Sequence, residues 1–173
     1  QGRTFYETIA ATLGKEYRRS TAWCFSREES LIDEYIVNCE EYAGVGSGAF
    51  GFLGGSIFAN SFDIPAYIEM AEAGKIPIVA SRDCNGMPAM MYDFLMQYFG
   101  LALDWSRLRK KHGRVAMLLL RPVMLAFQLA GGLKKDAVSG NFSVKDPYFG
   151  VVMMREFFTA VNNFRDYCRR NHI

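Results

Sequence analysis

Residues 44–55 read GVGSGAFGFLGG, with six glycines in twelve positions. No other stretch constrains the fold as tightly. Glycine loses more conformational freedom on folding than any other residue, so such density needs tight turns or close approach of another group. Three structures meet that need: a phosphate cradle, a plain hairpin, and a strand edge over which a flat ligand lies. Gly44, Gly46 and Ala49 satisfy the loose dinucleotide pattern G-x-G-x-x-A. That pattern requires a helix to begin at its third position, because the helix N-terminus holds the pyrophosphate. Gly51, Gly54 and Gly55 follow at once and oppose a helix, and no Gly-Lys-Ser/Thr supplies a Walker loop. A hairpin or bulged strand without a ligand, and a strand facing a ligand, stay open.

The neighbouring residues set the frame. Residues 42–52 read as a glycine-bearing strand and 56–60 as its partner, with Gly54-Gly55 giving the positive φ angles of a tight hairpin. A helix over 61–74 has Asp63 as cap, Pro65 in its first turn, Ile64, Tyr67, Ile68 and Ala71 along one side, and Gly74 as its end. Upstream, residues 4–17 have helical periodicity with Phe5, Ile9, Ala10 and Leu13 on one face. Residues 19–25 read as a strand, 28–38 as an acidic loop or short helix, and 76–80 as a short extended run. Past the Asn85-Gly86 turn the pattern becomes helical: 87–99 with Met91, Phe94, Leu95 and Tyr98 inward, then 105–111, then 114–130. Residues 131–142 suit a small hairpin. A closing helix over 148–170 carries Met153, Phe157, Val161, Phe164 and Cys168 as its inward stripe, with Arg155, Glu156, Arg165 and Asp166 facing elsewhere. The fold class is α+β or α/β, with a boundary between residues 84 and 85.

Chemistry is harder to build. With a net charge of only +2, nothing suggests a broad nucleic-acid face, which needs clustered basic residues with interleaved aromatics. The basic run at 107–112 reads as a solvated helix end. The apolar stretch 113–132 is interrupted by Arg121-Pro122 and Gln128, so it supplies no membrane span. Arg114, Arg121 and Gln128 recur every seven residues on a helix otherwise apolar all round, the pattern of a buried helix, which Pro122 kinks or divides. Cys24, Cys39, Cys84 and Cys168 match no zinc or disulfide spacing and read as small buried hydrophobes in a reducing cytoplasm. His112 and His172 have no nucleophile pattern around them, and Glu28-Glu29 and Glu40-Glu41 read as surface charge. No catalytic or metal-ligating residue is assigned. The first residues, Gln-Gly-Arg, read as the start of a piece of a longer chain, with no targeting segment visible.

Glu41-Tyr42-Ala43-Gly44-Val45-Gly46-Ser47-Gly48-Ala49-Phe50-Gly51, followed by Ala59-Asn60, Tyr67-Ile68 and Ala73-Gly74-Lys75, resembles the late barrel region of the oxygen-independent coproporphyrinogen III oxidase family of radical S-adenosylmethionine (SAM) enzymes. Met153-Met154-Arg155-Glu156-Phe157-Phe158 is similar to that family's helical C-terminal domain with its small wing. Two departures stand out. Many relatives have His-Ser after the motif's alanine where this chain has Phe50-Gly51, which leaves porphyrinogen oxidase, haem chaperone and haem-degrading relatives open. The family's cluster motif C-x-x-x-C-x-x-C is absent, since Cys24, Cys39 and Cys84 stand too far apart.

The resemblance implies the C-terminal portion of a longer radical SAM protein. Residues 1–84 would be the last strands and helices of a partial (β/α) barrel, and 85–173 a mainly helical domain with a β wing. The [4Fe-4S] cluster and most of the barrel would lie in the N-terminal part of the same polypeptide. SAM would lie against Gly44, Gly46 and Gly48 and touch Ala49 and Phe50, through apolar packing and backbone atoms. The substrate would be a tetrapyrrole whose propionates are oxidatively decarboxylated to vinyl groups in haem biosynthesis, with Arg121, Arg155 and Arg165 as candidates to pair with them. No nucleic acid and no membrane is implied as partner, and the location would be cytoplasmic. Two alternatives stand beside this: a haem-binding chaperone or haem-modifying relative on the same scaffold, and a non-catalytic helical interaction module.

Overall fold

The computed structural model describes residues 1–27, 41–137 and 141–172. Its elements run α1 (Gly2–Leu13), β1 (Arg18–Arg19), β2 (Phe25–Ser26), β3 (Phe50–Leu53), β4 (Ser56–Asn60), α2 (Ile64–Glu72), β5 (Ile78–Asp83), α3 (Met87–Phe99), α4 (Trp105–Leu129), β6 (Leu133–Lys135), β7 (Phe142–Val144) and α5 (Pro147–Arg170). This is a mixed α+β chain with three small sheets, of orders β1-β2, β3-β4-β5 and β6-β7, among the described residues. Every described strand pairing is antiparallel. The parallel pairing of a (β/α) barrel therefore does not occur within them. The expectation for residues 28–38, with Cys39, the pair Glu28-Glu29 and Glu40, lies outside the described residues; Glu41 is exposed, as expected of surface charge, and its carboxylate accepts the Gly54 amide at 2.7 Å.

Two compact units contain these elements. One comprises Gln1–Asn38 and Gly86–Met154, the other Cys39–Asn85 and Arg155–Ile173. In the first unit, Tyr98 of α3 is the centre of an aromatic core. It is fully buried, and its ring meets those of Phe94, Phe99, Phe127 and Phe149 at 5.1–6.3 Å, most of them edge-to-face. That geometry suits the aromatic quadrupole. The Tyr98 hydroxyl lies 3.3 Å from both the Gly132 and Asp146 carbonyls, and burial pushes its pKa up. A Cβ on Gly132 would meet that hydroxyl at 2.8 Å and the Phe149 ring at 2.9 Å, so the close approach requires glycine there.

α4 is two helices end to end. Gly113 sits at φ 82 and ψ 173, a region that residues with a Cβ rarely visit. The division falls where the expected helices 105–111 and 114–130 part. Pro122 adds no second break, since Gly113 alone departs from helical angles. Pro122 has no amide to bond to the Leu118 carbonyl, and both residues are exposed.

In the second unit the hairpin of β3 and β4 pairs Phe50 with Ala59 and Leu53 with Ser56. Gly54 and Gly55 have φ of 57 and 77, the double-positive turn whose twist matches the strands. α2 begins where expected. The Asp63 carboxylate accepts the Ala66 amide at 3.0 Å, Pro65 sits in the first turn, and Gly74 follows the helix at φ 69.

Several expectations need correction. Residues 42–52 are not one strand. Tyr42 bridges to Phe52, and Gly44, Gly46 and Gly48 lie in a loop ahead of β3, which itself contains Gly51. The strand expected over 19–25 is a hairpin of two-residue strands, and the run expected at 76–80 is β5, displaced toward Asp83. In α1 the inward residues are Tyr6, Ala10 and Leu13, while Phe5 and Ile9 are 66% and 52% exposed. The reason is local: the Tyr6 hydroxyl donates to the Ala22 carbonyl at 2.5 Å and its ring lies 5.5 Å from Tyr148. In α2, Ile64, Ile68 and Ala71 face outward, and Ala66, Tyr67 and Met70 face inward. In α5 Met154, Phe158, Val161 and Cys168 face inward and Phe157 is exposed, while Phe164, though 40% exposed, keeps its ring against the buried Phe62. The second half of α4 is not a buried helix. Leu120 and Met124 face the core, and Val115, Leu118, Leu119, Leu125 and Leu129 are exposed. Among the described residues no helix is long and apolar enough to cross a membrane.

Candidate functional site

The glycine loop ahead of β3 is clamped to the end of β4. The Asn60 side-chain amide donates to the Gly44 carbonyl at 3.1 Å and to the Gly46 carbonyl at 3.0 Å. The Gly48 amide and the Ser47 hydroxyl both donate to the Ser61 carbonyl, at 2.9 and 2.8 Å. The Asn60 amide donates to the Ala49 carbonyl at 2.9 Å. Asn60 and Ser61 are themselves buried and the side-chain bonds that tie the loop to them are part-buried, so leaving one unmade is costly on the Asn60 and Ser61 side.

The missing side chains in this loop have internal explanations. A Cβ on Gly44 would collide with the Phe50 carbonyl, and one on Gly51 with the Phe58 ring. At Gly48, φ is 71 and a Cβ would lie 2.9 Å from the Phe62 ring. Gly46 alone among these four has open space around it, with φ at 106. The loop thus presents one bare, open backbone position, not a row of three. Ala49 and Phe50 are half-buried. The Phe50 ring packs edge-on to Phe62 at 5.8 Å, and Phe62 in turn to Phe164 at 5.8 Å. Ala59, Phe62 and Cys168 form the buried centre of this cluster, with Phe50 and Ala80 against it. Burial pushes the Cys168 thiol up, which favours its neutral form.

The three arginines suggested for substrate separate. Arg155 is held by its neighbour Glu156 at 2.6 Å, and Arg165 by its neighbour Asp166 at 3.3 Å. Ten residues of helix part these two, about 15 Å of rise. Arg121 belongs to the first unit and lines an open groove of about 1050 Å³ with Trp105, Arg109, Arg114, Lys135 and Phe142. The Trp105 indole N–H donates to the Phe142 carbonyl at 2.8 Å, and the two rings stand 5.8 Å apart, edge to face. That bond fixes the groove's aromatic wall. The seven-residue recurrence placed Arg114 and Arg121 on one stripe. Nothing in the sequence signalled that Arg109 and Lys135 join them.

The basic run at 107–112 is not simply a solvated end. His112 Nε2 lies 2.6 Å from Asp93 Oδ2 and Lys111 Nζ 2.9 Å from the same oxygen. The His112 side chain is only 10% exposed. This cluster ties α3 to α4 immediately before the Gly113 break. It is 19 residues long-range, which is why spacing rules did not reveal it.

Among the described residues no group of three or more His, Cys, Asp or Glu side chains could hold a metal ion. A [4Fe-4S] cluster therefore does not fit them.

No family model matches the sequence, and no curated protein matches it. Among solved structures, the fold is similar to that of the coproporphyrinogen III oxidase HemN from Escherichia coli, a radical SAM enzyme, with a TM-score of 0.56 over 98% of this chain at 13% identity. The chain spans 40% of the length of that protein. The likeness is one of fold.

Proposed function

We propose that this chain is the later part of a radical SAM enzyme of the coproporphyrinogen oxidase kind, acting on the propionate side chains of a tetrapyrrole. The observation that carries this reading is the fold likeness to HemN over nearly the whole chain. The motif stretch from Glu41 to Gly51, followed by Asn60, supports it independently. In this reading the iron–sulfur cluster and most of the SAM contacts come from sequence outside residues 1–173. No chemical step is assigned to the present residues. Their share is architectural: Asn60 and Ser61 hold the glycine loop rigid, Gly46 offers an open backbone face, and Ala49 and the Phe50 backbone border it. Rigid placement of a cofactor by a preorganised loop is the usual protein contribution when the cofactor carries the chemistry.

The test is turnover by the longer gene product after anaerobic cluster reconstitution, with a reductant that delivers the electron for SAM cleavage and an acceptor for the electron released on decarboxylation. SAM should be cleaved to 5′-deoxyadenosine, and the tetrapyrrole product should lose one carboxylate for each propionate converted. A product that keeps every carboxylate rules out decarboxylation. Phe50-Gly51, in place of the His-Ser found in many relatives, favours a second reading as a haem-binding relative. Haem binding with SAM cleavage but no decarboxylation would select it. A reading frame lacking C-x-x-x-C-x-x-C upstream would overturn both readings and leave a helical interaction module.

A further inference from the structure

We infer that the outward face of the second half of α4 seats the first unit on the surface of an anionic lipid bilayer. Val115, Leu118, Leu119, Leu125 and Leu129 are 53–80% exposed, and Pro122 and Ala126 between them are exposed as well. Positions 115, 118, 122, 125 and 129 alternate three and four apart, the spacing of one helix face. That face runs about 21 Å along the helix at 1.5 Å per residue, with no polar residue on it. Arg114, Arg121 and Gln128, also exposed, form its edge. Charge is segregated in the same stretch. Residues 105–135 hold eight of the chain's 20 Lys and Arg and none of its 18 Asp and Glu. Lys134 and Lys135 are exposed on β6, which packs beside α4.

The occupant follows from the chemistry of the crest and its edge. A second copy is disfavoured, because pairing two such faces sets the arginines of one against those of the other, with no carboxylate on α4 to separate them. A nucleic acid matches the charge but not the aliphatic crest, since it is held through phosphates and stacked bases. Protein hot spots are chiefly Trp, Tyr and Arg, and leucine and valine are under-represented in them. A bilayer interface accepts both halves of this surface. Aliphatic side chains enter the boundary between headgroups and acyl chains, and arginine stems snorkel until the guanidinium is level with the lipid phosphates. Val115, Leu119, Ala126 and Leu129 are not among the residues that line the groove of Arg121, so the apolar surface continues beyond that groove over the crest of the helix. A seat on the surface is not a span: Arg121 stands mid-helix, and no described helix is long and apolar enough to cross. The family resemblance implies no membrane partner, and this inference does not rest on the proposed radical chemistry.

Flotation of the 173-residue chain with lipid vesicles tests it without cluster or SAM, so its outcome is separate from that of the turnover assay. Vesicles of phosphatidylcholine with phosphatidylserine should bind the chain about tenfold better or more than phosphatidylcholine alone, and binding should fall as salt rises. Leu119→Gln/Leu129→Gln should weaken binding about tenfold or more with an unchanged melting temperature, because both side chains are exposed. If that double variant misfolds, Leu129→Gln alone, at the most exposed of the five positions, provides the same comparison. Arg114→Gln/Arg121→Gln should weaken binding to the phosphatidylserine vesicles by about tenfold and flatten its salt dependence. Equal binding to the two kinds of vesicle, unchanged affinity in the folded variants, or no binding by the original chain would each overturn the inference. Binding of a single-stranded oligonucleotide that Leu119→Gln/Leu129→Gln leaves unchanged, without flotation, would overturn it in favour of a nucleic-acid face. Flotation of the 173-residue chain but not of the longer gene product would overturn it in favour of a contact within the longer polypeptide.

Discussion

Asn60 makes the glycine loop a structure instead of a tether. One buried amide satisfies two carbonyls of a segment whose glycines would otherwise leave it many conformations. Replacing Asn60 with Ala removes both bonds and leaves the carbonyls of Gly44 and Gly46 short of a donor. The expected loss is about 1–3 kcal/mol of unfolding free energy, read from urea titration. Asn60→Asp should be worse at neutral pH, since a carboxylate would then face two carbonyl oxygens. Asp63, three positions on, carries a pH dependence. Its carboxyl is held below the usual range first by the Ala66 amide and then by His172. A depressed carboxyl pKa contributes stability above the unfolded-state value, and that contribution disappears as pH falls through the folded-state value. Asn caps helices as well as Asp but does not titrate. The melting temperature of the original protein should therefore exceed that of Asp63→Asn at neutral pH, and the difference should close in acid. A gap that persists at low pH would mean the cap does not depend on the carboxylate's charge. His172 is largely exposed, so the part of the gap that it supplies should shrink as salt rises.

At the scale of elements, periodicity located helices better than it oriented them. α3 has the bounds expected from its pattern, and Gly113 divides α4 where the two expected helices part. These features depend on local chemistry: caps, prolines and glycines at special φ. Facing depends on what lies opposite. In α5 the doublets Met153-Met154 and Phe157-Phe158 allow either member to face inward, and the structure buries Met154 and leaves Phe157 exposed. In α1 the bond from Tyr6 to Ala22 turns the helix one position from the face that Phe5 and Ile9 suggest. The second half of α4 is apolar around most of its circumference, so its pattern fitted a buried helix, yet only the side with Leu120 and Met124 has a partner. The glycine loop was readable as a constrained segment. Its clamp was not, because Asn60 reaches back across 14 to 16 residues. A pair of variants checks the facing. Leu120→Ala should cost about 2–5 kcal/mol, the range for truncating a buried leucine. Leu119→Gln, one position away on the exposed side, should change stability by about 0.5 kcal/mol or less. Comparable losses in the two would mean that the outward face of α4 is covered.

At the scale of the molecule, the outward apolar faces are the feature that the described residues do not resolve among themselves. Phe5 and Ile9 on α1, Ile64 and Ile68 on α2, and Ile76 beyond it all stand in solvent. Single exposed apolar side chains are ordinary, but pairs of them on one helix face are where a further body could pack. HemN is 2.5 times longer than the part this chain matches, since the match covers 40% of it. Under the proposed function the additional body is more of the same polypeptide, and its contacts would fall on helix faces that lack partners here. Hydroxyl-radical footprinting of the 173-residue chain and of the longer gene product distinguishes the cases. Phe5, Ile9, Ile64 and Ile68 should be labelled readily in the shorter chain, and at least one of the two helix faces should become protected in the longer one. Met154 and Phe62, already buried, should label poorly in both and serve as internal controls. If both faces label equally in the two proteins while the controls stay protected, the added sequence does not pack on this fold, and the picture of a single enzyme body built around it fails.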